Sequence, residues 1–121
     1  MAAMPAQVYV YQARLERVID GDTLDVTLSM GLHAYRVERL RLLSVDCPEV
    51  HGPTRVAGLA ATAYTTAWLE AAGPEPWPLI VQTYKSDDFG RFLGTVWRIS
   101  DGACLNLSLL DSGHAVAYRS D

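Results

Sequence analysis

Cysteine is scarce in this chain. Cys47 and Cys104 stand far apart, without the paired spacing of a zinc or dithiol motif, so free, partly buried thiols are expected. A disulfide would need an oxidising compartment, for which nothing else in the sequence argues. Positive charge is also short: ten basic against fourteen acidic residues leave a formal net charge of −4. That excludes a protein that coats nucleic acid with a broad basic surface, and any nucleic acid must be gripped locally. Lys85 is the single lysine and the other basic residues are arginines. Arginine suits phosphate forks, although a GC-rich coding sequence would produce the same bias. No apolar run approaches the ~20 residues that cross a bilayer. Residues Met1 to Tyr11 lack the basic start and apolar stretch of a secretory leader. The expectation is a protein without membrane association, cytoplasmic as given and secreted if a signal was removed.

What is present suffices for one domain. With 121 residues, half of them hydrophobic, the chain can bury a core without staples. Polar and apolar residues roughly alternate from Val8 to Ile19, and Asp20-Gly21-Asp22 makes a turn. Leu24, Val26 and Leu28 then share one face of a second strand, completing a hairpin. After Ser29-Met30-Gly31, a long third strand is expected from Ala34 to Val45, apolar on both faces at its end. Val56 to Ala72 is Ala-rich, with Leu59, Ala63 and Ala67 at helical spacing and Gly73-Pro74 as its stop. Leu79 to Tyr84 and Phe92 to Ile99 read as two more strands. Asn106 is placed as the N-cap of a short helix from Leu107 to Ser112. Three strands, a helix, two strands and a short helix fit a small α+β fold: a five-stranded OB-type barrel with a helix after the third strand and a short C-terminal helix.

Three clusters carry chemistry: Asp20-Gly21-Asp22-Thr23, Arg41 through Asp46-Cys47-Pro48-Glu49, and Asp87-Asp88-Phe89-Gly90-Arg91. Carboxylates can hold a hard cation, another carboxylate can activate water, and arginines can grip phosphate bidentately. Together this is equipment for metal-assisted phosphodiester cleavage. Asp-Gly alone is an ordinary hairpin turn; Asp46, at the end of a core strand, supplies the second acidic point. Two carboxylates, a backbone carbonyl and waters suit Ca²⁺, with Mg²⁺ possible but more demanding in geometry. The soft thiol of Cys47 is a poor ligand for either, so its carbonyl is expected to face the metal. Glu49, beyond a stiffening proline, can sit near the metal without coordinating it, where a general base belongs. Arg41 shares its parity with Leu43 and Val45, so its guanidinium must either leave an apolar setting or find acidic partners. Arg91 in its polar turn can join Arg41 on a phosphate. His51 and the aromatics Tyr9, Tyr11, Trp68, Trp77 and Trp97 have plainer readings, as a solvated loop residue and as packing.

The three clusters, with Leu105-Asn106, Gly113 and Ala117-Tyr118, resemble the staphylococcal nuclease (thermonuclease) family over about residues 8–118 of a single 1–121 domain. The resemblance implies an OB-fold barrel that binds Ca²⁺ and hydrolyses single-stranded DNA and RNA, without regard to the sugar, to 3′-phosphate products. By motif it implies Asp22, Asp46 and the Cys47 carbonyl as metal ligands and Glu49 as base. Arg41 and Arg91 become phosphate clamps, and Tyr118 and Phe89 nucleotide contacts. The sequence departs from the family pattern at Cys47, where threonine is usual, at Phe89, often tyrosine, and at Asp88, where a basic residue is common. Larger members continue beyond the equivalent of Tyr118, so a monomer or a weak homo-oligomer is expected. The competing function is a noncatalytic OB-type module that binds nucleic acid or protein; the acidic balance and Asp88 favour it mildly, and retention of all five charged side chains speaks against it.

Overall fold

The computed structural model describes residues 2–5, 8–86 and 88–118. Its strands are β1 (Val10–Asp20), β2 (Thr23–Ser29), β3 (Tyr35–Leu42), β4 (Val45–Asp46), β5 (Leu79–Ser86), β6 (Phe92–Arg98) and β7 (Val116–Ala117). A 3₁₀ turn (Gly52–Thr54) leads into helix α1 (Arg55–Glu70), and α2 is Leu105–Asp111. Strands β1, β2, β3, β6 and β5 close into a barrel in that order, while β4 and β7 form a separate two-stranded pair. All barrel pairings are antiparallel except β3 with β6, which meet in parallel over Leu40–Leu42 and Phe92–Gly94. The chain therefore has the five-stranded OB-type barrel with two helices that its pattern implied.

Alternation accounts for the barrel interior. Leu24, Val26 and Leu28 of β2 point inward with Leu40 and Leu42 of β3, Leu79 and Val81 of β5, and Val96 of β6, all essentially without solvent contact. Gly94 lies under Leu40, whose methyl carbons would come within 3.3 to 3.5 Å of any added Cβ, so the core fills that point from β3.

Several local expectations are corrected. The third strand does not run unbroken to Val45. It stops at Leu42, because Ser44 turns through a positive φ of 65°, and the chain resumes as β4. Asn106 is not a cap: Cys104 holds that place, and Asn106 is buried inside α2. Its Nδ2 donates to the carbonyls of Leu43 and Gly94, at 3.0 and 3.1 Å, and its Oδ1 accepts from Val96 N at 3.2 Å. The polar side chain thus satisfies backbone groups on the edge of β6 that faces the end of β3, where the β3–β6 pairing stops at Gly94. The short β7 had no signal in the sequence.

Helix α1 buries a different face from the one its leucine marked. Leu59, Ala63 and Ala67 are exposed, whereas Gly58, Ala61, Thr65, Trp68 and Leu69 are buried. The inward face is small near its start because it packs on backbone. A Cβ on Gly58 would lie 2.4 Å from the Glu49 carbonyl oxygen and 2.8 Å from that of Pro48. A Cβ on Gly21 would lie 2.9 Å from both Ala61 Cβ and Cys47 Sγ. Further along, Trp68 donates Nε1–H to Ser108 Oγ at 3.2 Å and carries the Arg98 guanidinium 4.2 Å from its ring centre. Trp68 is therefore a packing residue, as the sequence suggested.

Candidate active site

Three contacts bring the first two clusters and Tyr118 together, and the parallel pairing of β3 with β6 sets the Asp88–Arg91 turn beside them. In the first, β2 and β3 pair in register with Thr23 opposite Arg41, and Leu42 N donates to Asp22 O at 2.8 Å. In the second, buried Thr65 of α1 donates its hydroxyl to Gly21 O at 2.7 Å, pinning the turn that carries Asp22. The third is the β4–β7 pair, continued by Tyr118 N donating to Ser44 O at 2.9 Å, which brings Tyr118 beside the Asp46 segment.

These contacts enclose a polar cleft of about 510 Å³, lined by Asp22, Arg41, Asp46, Cys47, Glu49, Phe89, Arg91 and Tyr118 among others. Every site residue expected from the sequence thus borders one space. Asp87 lies outside the described residues. His51 is exposed at the start of the 3₁₀ turn and does not line the cleft.

Asp22 is the buried acid of the site, 7% exposed. Its Oδ2 accepts from Cys47 N at 2.8 Å, its Oδ1 from the Thr23 hydroxyl at 3.2 Å, and Arg41 Nη2 lies 3.4 Å from Oδ2. Burial, and next the neighbouring Asp20, nevertheless raise its pKa above the ordinary aspartate value; the Cys47 amide and Arg41 only partly offset them. Asp46, half exposed, sits 3.2 Å from the same Nη2. One guanidinium nitrogen therefore binds both carboxylates, while Nη1 of Arg41 donates to the carbonyls of Leu42 and Val45 at 3.1 and 2.8 Å. Arg41 resolves its apolar parity by finding acidic partners, and it still borders the cleft.

Cys47 is buried with its sulfur against Gly21, and burial followed by Asp22 and Asp20 pushes the thiol up to about 12. It is a neutral packing group, and both cysteines are free. Glu49 is exposed, and its backbone is fixed by the Thr54 hydroxyl, which donates to Glu49 O at 2.8 Å, and by the close approach of Gly58. Arg91 places its guanidinium carbon 5.2 Å from the Phe89 ring centre, and that of Arg41 lies 5.9 Å from the ring centre of Tyr118.

Some contributors escaped the sequence reading. Asp20, a member of the first acidic cluster to which its pattern assigns no role, lines the cleft and accepts the Asp22 N–H at 3.2 Å. Lys85 also lines it, a place the lone lysine in a strand-end run gave no means to foresee. Gly58 and Thr65 act through backbone contacts that helical periodicity does not register.

A closed mixed barrel with two helices, whose one side gathers carboxylates and guanidinium groups around a polar cleft of about 510 Å³, is a domain of OB type. The family model described as staphylococcal nuclease homologue matches residues 39–121, and the chain belongs to that family. That makes it a domain of nuclease or nucleic-acid-binding type. It is also 29% identical over 113 residues to Protein ParB of Escherichia coli, the alignment covering 85% of this chain and 55% of that relative. The chain thus spans about half the length of that protein. The family match begins after the Asp20–Thr23 turn, which tertiary contacts set beside the matched segment.

Proposed function

We propose that the domain is a Ca²⁺-dependent, sugar-nonspecific nuclease that hydrolyses phosphodiester bonds of single-stranded DNA and RNA to 3′-phosphate products. The observation that carries this reading is the convergence of Asp22, Asp46, Glu49, Arg41 and Arg91 on one cleft, although they come from separate segments.

The donor set suits a hard cation. Asp22 and Asp46 converge within reach of one guanidinium nitrogen, and the Asp22 charge is poorly solvated, so a cation there would relieve it. Among the described residues no three His, Cys, Asp or Glu side chains form a ready metal cluster, so the Cys47 carbonyl and water would complete the shell. The cation would supply Lewis-acid charge neutralisation at the phosphate.

The chain's own groups do the rest. Glu49, exposed to the cleft on a loop stiffened by Pro48 and braced by Thr54, takes the proton of the attacking water; the water oxygen bonds to phosphorus as the P–O5′ bond breaks, and the departing 5′-oxygen takes a proton from solvent. Arg91, and Arg41 on exchanging its Nη2 contacts with Asp22 and Asp46 for phosphate, bind the non-bridging oxygens and stabilise the charge that grows in the pentacoordinate transition state. Tyr118 and Phe89 flank the arginines and offer faces to the adjoining nucleotide. A positioned base contributes roughly 10²- to 10⁴-fold, so most of the acceleration must come from charge stabilisation.

The test is incubation of the purified protein with single-stranded DNA and RNA in Ca²⁺, Mg²⁺ and EDTA, with Glu49→Gln as the contamination control. Cleavage by the parent alone, abolished by EDTA, is the expected result. Binding without cleavage in either metal would leave a noncatalytic module.

A further inference from the structure

A second hollow, of about 940 Å³, adjoins the cleft. Lys85 and Leu93 line both, so the two spaces meet at the base of the β5–β6 loop. Tyr9, Tyr11, Tyr84 and Phe92 surround the second hollow, with Arg36 at its far side. None of these residues acts in the mechanism above.

Topology explains why the hollow exists. Strand β6 pairs with β3 only from Leu40 onward, so the Tyr35–Arg39 part of β3 projects past the start of β6. On the other side Tyr9 follows β5, where Thr83 N donates to Tyr9 O at 2.9 Å, and the β5–β6 register slips between Thr83 and Ser86. At this end of the closed barrel a gap is thus left between the projecting part of β3 and the β1–β5 pair.

We infer that this hollow binds the strand that flanks the scissile phosphate, as a sequence-tolerant track for single-stranded nucleic acid. The inference rests on the nuclease reading of the cleft. Continuity through Lys85 lets one chain occupy both spaces. Tyr9 is 58% and Tyr84 36% exposed, so both leave ring area that a stacked base can cover. Aromatic faces interleaved with Lys85 and Arg36 match a ligand of stacked bases on a charged backbone. Arg36 pairs with Glu38 but keeps its side chain 63% exposed, so it can still meet a phosphate. On a chain of net charge −4, this local pairing of cations with rings provides the confined grip that the composition demands.

The test compares binding of fluorescein-labelled oligothymidylates of about three and about twelve nucleotides to the Glu49→Gln protein, which keeps the probe intact, by anisotropy with Ca²⁺. The longer probe is expected to bind at least about tenfold more tightly, since each stacked base contributes severalfold or more. Adding Tyr9→Ala and Tyr84→Ala should bring the longer probe to the affinity of the shorter one and leave the shorter unchanged. Phenylalanine at both positions should restore the difference. Arg36→Glu, outside the cleft and needing no change in the aromatic wall, should weaken the longer probe alone and flatten its salt dependence. An equal affinity for both lengths, or a length advantage that survives the alanine and Arg36→Glu changes, overturns the inference. Cleavage of the short probe by the parent protein scores the nuclease reading separately. Cleavage without a length effect removes the track alone, and a tyrosine-dependent length effect without cleavage removes the nuclease reading alone.

Discussion

Gly58 lies so close to Glu49 that a side-chain carbon on it would come 2.4 Å from the Glu49 carbonyl oxygen and 2.6 Å from the carbonyl carbon. The first turn of α1 therefore acts as a backstop for the loop that carries the proposed base. Gly58→Ala gains helix propensity worth up to about 1 kcal/mol, but rigid backbone on the other side leaves no room for the methyl group. Overpacking of this kind costs about 1–3 kcal/mol and should prevail. Lower stability in urea together with a reduced kcat is the expected result; a variant at least as stable as the parent with full activity would show that the loop yields freely.

Glu49→Gln and Arg91→Ala should each lower the cleavage rate by at least about a hundredfold. Their melting temperatures should stay near the parent's. Rates on single-stranded DNA at saturating Ca²⁺ are the measurement, and unchanged rates in both variants would remove the proposed mechanism.

Asp22 governs the response to metal and pH. Because its folded pKa is raised, the folded state holds a proton more tightly than the unfolded chain does. Without cation, stability at this site therefore falls as pH climbs from the ordinary aspartate range through the raised value. A cation on the ionised carboxylate reverses that penalty. Melting in Ca²⁺ against EDTA should show stabilisation that grows as pH rises through the Asp22 titration, reaching about 2.7 kcal/mol at a hundredfold excess over Kd. In Asp22→Asn the Ca²⁺-dependent shift should disappear.

Cys47 should resist modification. With the thiol pushed up to about 12 and packed against Gly21, almost no thiolate exists at pH 8. Peptide mass spectrometry after brief treatment with iodoacetamide should find Cys47 unmodified in native protein and alkylated after unfolding in urea. The same shift predicts that stability declines as pH rises from the ordinary thiol value of 9.0 toward 12, where the unfolded chain ionises first.

Asn106→Ala should be among the costly single substitutions. It leaves the Leu43 and Gly94 carbonyls and the Val96 amide without the partner that all three share. A loss of about 2–4 kcal/mol is expected in urea unfolding. Asn106→Asp should be no milder, since a carboxylate would face two carbonyl oxygens.

The amino-acid sequence by itself determined the barrel strands, because alternation of buried and open positions is a local property and Leu24, Val26 and Leu28 carry it plainly. It also marked the acids and arginines that border the cleft, since they occur in tight local clusters, but not Lys85, which stands outside any cluster. Tertiary structure alone decided the rest. Along an Ala-rich helix the faces differ little in hydrophobicity, so the choice of Gly58, Ala61 and Thr65 over Leu59 and Ala63 followed from how closely α1 must approach the backbone of Gly21 and Glu49. Asn106 reads as a cap until β3 ends at Leu42 and leaves backbone groups for it to satisfy. The two-residue β4–β7 pair is too short for any periodicity, and it arises because Val45 and Asp46 are brought beside Ala117 and Val116 from the far end of the chain. Sequence patterns report what each segment can bury; which backbone it is buried against depends on contacts that no local pattern encodes.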